Sequence, residues 1–340
     1  MKVLVTGATG FLGSHIVDHS LAAGDEVRVL ARPTSDLGHL KTLPDIEVVH
    51  GDLGDPESLA AACKGVDVVH HSAGRVEETG SRDQFWDANV LGTRRLMDAA
   101  RGAGVGRFVF VSSPSVATEY DRDRFGMDES EPYVRNPKSY YVETKAVAER
   151  EVLAADSGDF TTCALRPRMI WGPRSGGWMT LLLSKIRSGR LPDLSGGKPV
   201  MVSITYCEHA ARACVQASRS DAVAGKAYFL ADAEDIDLWG FARDLATAFD
   251  LTPPTRTIPK PVLDTAIAVF DTIWKIPGLQ ERVAPPLSSW TVAALTVSNT
   301  YDTSAARRDF GFEPTVSLRE GTERYIDWVR SIGGLPALLA

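Results

Sequence analysis

Residues 2–13 read KVLVTGATGFLG. A short β-branched run, Lys2 to Thr6, ends directly in Gly7, Gly10 and Gly13, spaced G-x-x-G-x-x-G. These lead into apolar residues at helical spacing: Phe11, Leu12, Ile16, Val17 and Leu21. Each glycine answers a steric demand. Without Cβ the chain can turn tightly, a backbone can approach a ligand closely, and the helix can pack against the strand it follows. The free N–H groups and dipole at the start of that helix favour negative charge. Placed after the first strand of a βαβ unit, this spacing points to a dinucleotide pyrophosphate.

The alternation of periods continues along the chain. Strands are expected at Val27–Leu30, Ile46–His50, Val66–His70, Arg107–Val111, Thr161–Ile170 and Ala227–Ala231. Helices are expected at Phe11–Ala23, Glu57–Cys63, Phe85–Arg101 and Lys138–Ala155, the last started by Asn136-Pro137. Such alternation implies an α/β fold, a Rossmann-type doubly wound parallel sheet. After Gly172 the pattern changes to loops rich in Gly, Ser and Pro, with Pro253, Pro254, Pro259 and Pro261 close together. The expected division is a dinucleotide-binding domain over 1–171, with a late strand near 226–231 returning to it. A smaller, partly helical C-terminal substrate domain or lid is expected from 172–225 and 232–340.

The 340 residues are 44% hydrophobic, enough for a large core, and carry a net charge of −7. That acidic balance argues against nucleic acid, which needs a basic face. No apolar run is long enough to cross a bilayer, and MKVLVTGATG lacks the features of a secretory leader. Cys63, Cys163, Cys207 and Cys214 are scattered without a CxxC pair. A reduced, cytoplasmic location is expected.

Two further features carry chemistry. At the tip of the second strand stands Arg32, with no carboxylate. An acidic residue there meets the ribose 2′-OH of NAD, and a basic one the 2′-phosphate of NADP. NADP(H) is therefore favoured, with NAD(H) as the alternative. The fifth strand ends in Val111-Ser112-Ser113-Pro114-Ser115, and 28 residues beyond Ser113 comes Tyr141-Val142-Glu143-Thr144-Lys145. Tyr141 and Lys145, at i and i+4, share one helix face. A nearby ammonium lowers a phenol's pKa toward working pH. A strand-end hydroxyl can hold the substrate oxygen. Together they suit the interconversion of an alcohol and a ketone, with hydride from a nicotinamide. Tyr140 has Thr144 four residues on and lacks such a partner.

With these motifs placed, the chain resembles the extended short-chain dehydrogenases/reductases, in particular the 3β-hydroxysteroid dehydrogenase/isomerase-like branch. The matching stretches are TGATGFLG (6–13), GDL (51–53), HHSAG (70–74), NVLGT (89–93), VSSPSV (111–116), YYVETKAVAE (140–149), LRPRMIWGP (165–173), GKAYFLAD (225–232) and ARRDFGFEP (306–314). SSPSV, LRPRMIWGP and GKAYFLAD look closest to bacterial 2-alkyl-3-oxoalkanoate reductases of olefin biosynthesis. The resemblance implies that Gly7, Thr9, Gly10, Phe11, Leu12 and Gly13 hold the pyrophosphate. Asp52 and Leu53 lie at the adenine, Ala73 and Gly74 line the cofactor, and His71 lies nearby as a cofactor-binding candidate. Pro167 and Ile170 run past the nicotinamide. Tyr141 becomes the acid–base, Lys145 also holds the nicotinamide ribose, and Ser113 is the catalytic hydroxyl. Trp171 replaces a Tyr common among relatives.

For substrate contacts, Ser115, Trp171, Trp178 and Trp274 are the candidates. The apolar stretch 262–280 is a lid, ordinary core, or a segment lying on a membrane surface. The expected substrate is a bulky apolar ketone or alcohol, a β-keto acid or steroid-like molecule. The resemblance also implies a homodimer through Phe85–Arg101 and Lys138–Ala155. A nucleotide-sugar epimerase or dehydratase with bound NAD is the alternative, kept open by Arg168, Arg174, Arg187 and Arg190. A non-catalytic cofactor sensor is a second alternative. No metal is expected: His15, Asp18 and His19 read as H-x-x-D-H, but solvated histidines explain them more simply.

Overall fold

The computed structural model describes residues 1–340 except 77–78, 138, 190, 259 and 274–288. The first strand β1 (Lys2–Thr6) is followed by α1 (Phe11–Ala22), β2 (Glu26–Ala31) and β3 (Ile46–His50). Then come α2 (Pro56–Cys63), β4 (Val68–His71), α3 (Arg82–Phe85), α4 (Gly92–Gly102) and β5 (Arg107–Val111). Later elements include β6 (Arg124–Met127), α5 (Tyr140–Ala154), β7 (Thr161–Pro167) and β8 (Ile170–Trp171). The C-terminal half adds α6 (Trp178–Arg187), β9 (Met201–Val202), β10 (Thr205–Tyr206), α7 (Cys207–Ala217), β11 (Lys226–Leu230), β12 (Ile236–Asp237), α8 (Leu238–Ala248), α9 (Lys260–Ile273) and β13 (Asn299–Tyr301).

Seven strands form one parallel sheet in the order β11-β7-β5-β4-β1-β2-β3. Strands buried on both faces read as continuous apolar runs, as Val3 to Val5 and Phe108 to Val111 do. One face packs Val3, Val5, Val68 and Val109 under α1 and α7, through Ile16, Ala210 and Cys214. The other packs Leu4, Val69, Phe108 and Phe110 under α2, α4 and α5, through Leu59, Leu96 and Val152. Beyond β7 a third apolar cluster gathers Trp171, Met179, Leu183, Tyr206, Trp239, Phe241 and Tyr325. Small sheets β10-β8 and β12-β9-β13-β6 frame it. Among the described residues no helix is long and apolar enough to cross a membrane.

Several boundaries differ from the sequence reading, each for a local reason. The expected helix Phe85–Arg101 is interrupted by a wide π turn over Trp86–Leu91. The helix expected from Lys138 begins at Tyr140, because the Ser139 hydroxyl, rather than Asn136-Pro137, caps it by accepting from Tyr141 N at 3.2 Å. The strand expected over Thr161–Ile170 stops at Pro167. Met169 turns to φ 42°, and Ile170–Trp171 re-pairs with β10. β4 starts at Val68, since the Val66 N–H is spent on Cys63 O in a turn. The stretch 262–280 falls partly on α9, where Leu263 is buried and Val262, Val269 and Ile273 are exposed; 274–280 lie outside the described residues.

Candidate active site

The sheet grows from β1 toward β3 in one direction and from β4 toward β11 in the other. A crevice must therefore open at the carboxyl ends of β1 and β4, where ligands of such sheets bind. Gly7 sits there at φ 71°. A Cβ on Gly7 would lie 2.7 Å from Ala73 N, and one on Gly13 only 2.0 Å from Gly7 O. The loop is therefore pressed against the end of β4 and against the first turn of α1. Gly10 starts α1 with no side-chain cap, so the first N–H groups of the helix face the crevice unclaimed by a side chain. Thr9, Gly10 and Gly74 are exposed along this rim and Phe11 and Ala73 are half-buried. A dinucleotide pyrophosphate fits this cradle, since it supplies the anion that the free N–H groups lack. Leu12 is buried behind it. Arg32 is exposed just past β2, in reach of solvent and of a ribose at that strand's tip. Asp52 is exposed, its carboxylate accepting from Gly54 N at 2.8 Å, and Leu53 packs beside Gly92.

At the carboxyl end of β5 the chain brings Ser113, Tyr141 and Lys145 together. Ser113 Oγ lies 2.8 Å from Ser115 Oγ and accepts from Ser115 N at 3.3 Å. Burial pushes the Tyr141 phenol above its ordinary range, and a hydrogen bond with Ser113 pulls the other way. Lys145 is buried, donates to Val111 O at 2.6 Å and lies 4.3 Å over the Phe110 ring. Burial brings its pKa down to about 8, opposed by Glu149 one turn on. The sequence predicts a lowered phenol; burial instead dominates and raises Tyr141, while Lys145 is tied to β5. Tyr140 turns to the other side, against Phe85.

Four placements correct the sequence reading. His71 does not line the cofactor: it is fully buried between Phe108 and Phe110. Its ring nitrogens lie 2.7 Å from Thr6 Oγ1 and 2.9 Å from Thr93 Oγ1. Burial, helped by Lys145, lowers its pKa to about 3. Its role is to fix Thr6, which accepts from Ala73 N. Trp171 does not line a pocket either. It is 1% exposed, donates to Asp232 at 2.8 Å and packs on Tyr206 and Phe241. His15 is not solvated: it is buried, 2.9 Å from Pro173 O, and burial lowers its pKa to about 4. Asp18 pairs instead with Arg174 and His39, so the H-x-x-D-H side chains diverge.

Of the remaining substrate candidates, Trp178 is half-buried and donates to Ile170 O at 2.9 Å, and Ser115 is buried against Ser113. Trp274 lies outside the described residues. Pro167 is buried at the end of β7, and Ile170 is half-buried at the start of β8. Sequence reasoning missed Asn89. Its side chain accepts from Arg75 N and donates to Thr144 Oγ1, tying the Gly74 loop to α5. The signal was present, since Asn89 opens the NVLGT stretch.

A dinucleotide cradle facing a Ser–Tyr–Lys set at the end of a parallel strand defines a nicotinamide-dependent oxidoreductase of the extended short-chain dehydrogenase/reductase kind. Residues 4–260 match the 3-beta hydroxysteroid dehydrogenase/isomerase family, and the chain belongs to that family. It is 36% identical over 330 residues to a 2-alkyl-3-oxoalkanoate reductase of Stenotrophomonas maltophilia, covering 95% of this chain and 98% of that one. It is 33% identical over 349 residues to a 3 beta-hydroxysteroid dehydrogenase/Delta 5-->4-isomerase of Mycobacterium tuberculosis, covering 97% and 91%. A dTDP-glucose 4,6-dehydratase double mutant from Streptomyces venezuelae, solved with NAD bound, superposes with a TM-score of 0.73 at 24% identity over 97% of both chains.

Proposed function

We propose that this chain interconverts a ketone and a secondary alcohol on a bulky apolar substrate, and that it prefers NADP(H). The observation that carries the reaction is buried Lys145, bonded to Val111 O at the carboxyl end of β5, with Ser113 and Tyr141 beside it at the mouth of the glycine cradle. The relatives named above act on ketones and hydroxysteroids by their names. Arg32, exposed at the tip of β2, supports the NADP(H) preference. When bound, the nicotinamide supplies or accepts the hydride. The backbone of Gly10 to Gly13 holds the pyrophosphate, and Ser113, aligned by Ser115, donates to the carbonyl oxygen. Tyr141, kept protonated by burial, gives its proton to the oxygen that becomes the alcohol. Lys145 is charged below about pH 8 and is placed by Val111 O to steady the nicotinamide ribose.

The nucleotide-sugar alternative has less to stand on. It needs several cations near the substrate. Arg168 is buried and bonded to Asn299, Arg174 is held by Asp18, Arg187 is exposed at the end of α6, and Arg190 lies outside the described residues. Pairing of protomers through α4 and α5 is part of the proposal, as is a substrate-binding role for 172–225 and 232–340. The test is turnover of β-keto acids and steroids with NADPH and NADH. Tyr141→Phe should lose about 100-fold or more in kcat, the scale of a lost acid–base group. Full turnover by that variant would end the reading. Arg32→Ala should erase the NADPH preference, and similar kcat/KM for both nucleotides in the wild type would remove that preference from the proposal.

A further inference from the structure

His15 and Asp18 play no part at the glycine cradle or at Tyr141, yet both hold the same loop. With Phe11 they stand at i, i+4 and i+7 on one face of α1. Burial keeps His15 neutral above about pH 4, so the Nε2 that lies 2.9 Å from Pro173 O carries the proton and donates. Asp18 Oδ2 accepts from Arg174 Nη2 at 2.6 Å, and His39 Nε2 lies 2.8 Å from both Asp18 Oδ1 and Arg174 Nη1. The Phe11 ring meets His15 edge-on at 5.6 Å and packs against the apolar cluster beyond β7, as Met169, Ile170 and Trp178 do.

The loop is bent where a side chain is costly. Arg174 turns to φ 67° within Gly172-Pro173-Arg174-Ser175-Gly176-Gly177. Glycine adopts that conformation freely and a residue with Cβ does not, so the position is kept for the guanidinium. The loop is fixed at both ends as well. A Cβ on Gly172 would lie 2.5 Å from Cys207 Sγ, and Trp178 Nε1, in the first turn of α6, donates to Ile170 O at 2.9 Å. Residues 170–178 therefore form one unit. It starts at the carboxyl end of β7, beside the end of β5 that carries Ser113, where Ser112 N donates to Leu165 O at 2.7 Å. We infer that His15, Asp18 and Arg174 are positioning residues for the reaction: through them α1, whose first turn receives the pyrophosphate, sets the 170–178 unit, so that nucleotide and substrate bind cooperatively. The inference rests on a nucleotide in the glycine cradle and on no particular substrate.

Amide hydrogen exchange with and without NADP reads this link, in wild type, Arg174→Gly, Arg174→Lys and Asp18→Asn. In wild type NADP should slow exchange over the glycine loop, 7–14, and also over 170–187, the latter by about tenfold, the scale of a modest coupling between sites. Glycine keeps the turn, so Arg174→Gly should melt within a few degrees of wild type and still show slowing over 7–14. Its slowing over 170–187 should vanish. Asp18→Asn should weaken that slowing, and Arg174→Lys should restore part of it. Slowing confined to 7–14 in wild type overturns the proposal, and so does undiminished slowing over 170–187 in Arg174→Gly. No slowing at 7–14 in wild type takes the nucleotide out of the cradle and the proposal with it. Turnover gives a second readout. For any β-keto acid or steroid that wild type reduces, Arg174→Gly should raise the substrate KM about tenfold and the NADPH KM less than about threefold. An equal rise in both overturns the proposal, since the loop would then serve the nucleotide site alone. If no such compound is reduced, the ketone-reducing reading fails, and the exchange experiment alone decides the link. Should Arg174→Gly not fold, Asp18→Asn decides.

Discussion

At Gly13 a single methyl group would meet the carbonyl of Gly7 at 2.0 Å, and backbone cannot swing aside as a side chain does. Gly13→Ala should therefore shift the loop, lower Tm and raise the KM for the nucleotide about tenfold or more, as misplaced binding groups do. The check is nucleotide titration beside a melting curve; an unchanged KM would show that the loop does not hold the pyrophosphate. At Tyr141, burial keeps the phenol protonated, which suits an acid. Ketone reduction should hold steady through neutral pH, whereas alcohol oxidation, which needs the phenolate, should rise as pH increases. Rate profiles in both directions test this. Glycine spacing and the Tyr141–Lys145 step were legible in the sequence because both are local demands of backbone and helix geometry. The bond from Arg168 to Asn299, the burial of His71 and the bond from Trp171 to Asp232 were not, since they depend on partners far along the chain.

Among the elements, the interrupted helix α3–α4 matters most to the site. A continuous α-helix would rotate Asn89 by a different angle. The wide turn over Trp86–Leu91 puts it between Arg75 and Thr144, and such turns are frequent at functional sites. Asn89→Ala should leave the Arg75 N–H without its acceptor and free α5 from the Gly74 loop. A loss of about 1–3 kcal/mol in stability is expected, the scale of an orphaned buried group. If kcat falls further than Tm accounts for, Asn89 positions the Tyr141 helix. A loss in Tm alone would leave it a structural bond. Element order and type were readable from alternating periods, and the seven parallel strands follow them. The turn at Trp86–Leu91 was hidden because one extra residue per turn barely disturbs an apolar stripe. The break after Pro167 was signalled by the proline itself, which cannot donate to the ladder.

For the whole molecule, three enclosed histidines set the acid limit. Burial holds His15 and His70 near pKa 4 and His71 near 3, below the unfolded value of about 6.5. The unfolded chain then binds more protons between those values, so stability falls as pH drops from about 6.5 toward 4. His70 is wholly buried, and among the described residues neither ring nitrogen has a hydrogen-bond partner. His70→Leu should flatten that slope and keep stability at pH 7, which urea melts at pH 7 and 5 would show. An unchanged slope would move the acid limit to other groups. The sheet's order carries a last consequence, for how the chain is made. β11 covers the edge of β7, though Pro167 and Lys226 are 59 residues apart. A ribosome adding ~5–20 residues per second exposes that apolar edge for several seconds before its cover emerges. During that interval the nascent chain carries an open strand, the form most open to pairing with a neighbour or to capture by a chaperone.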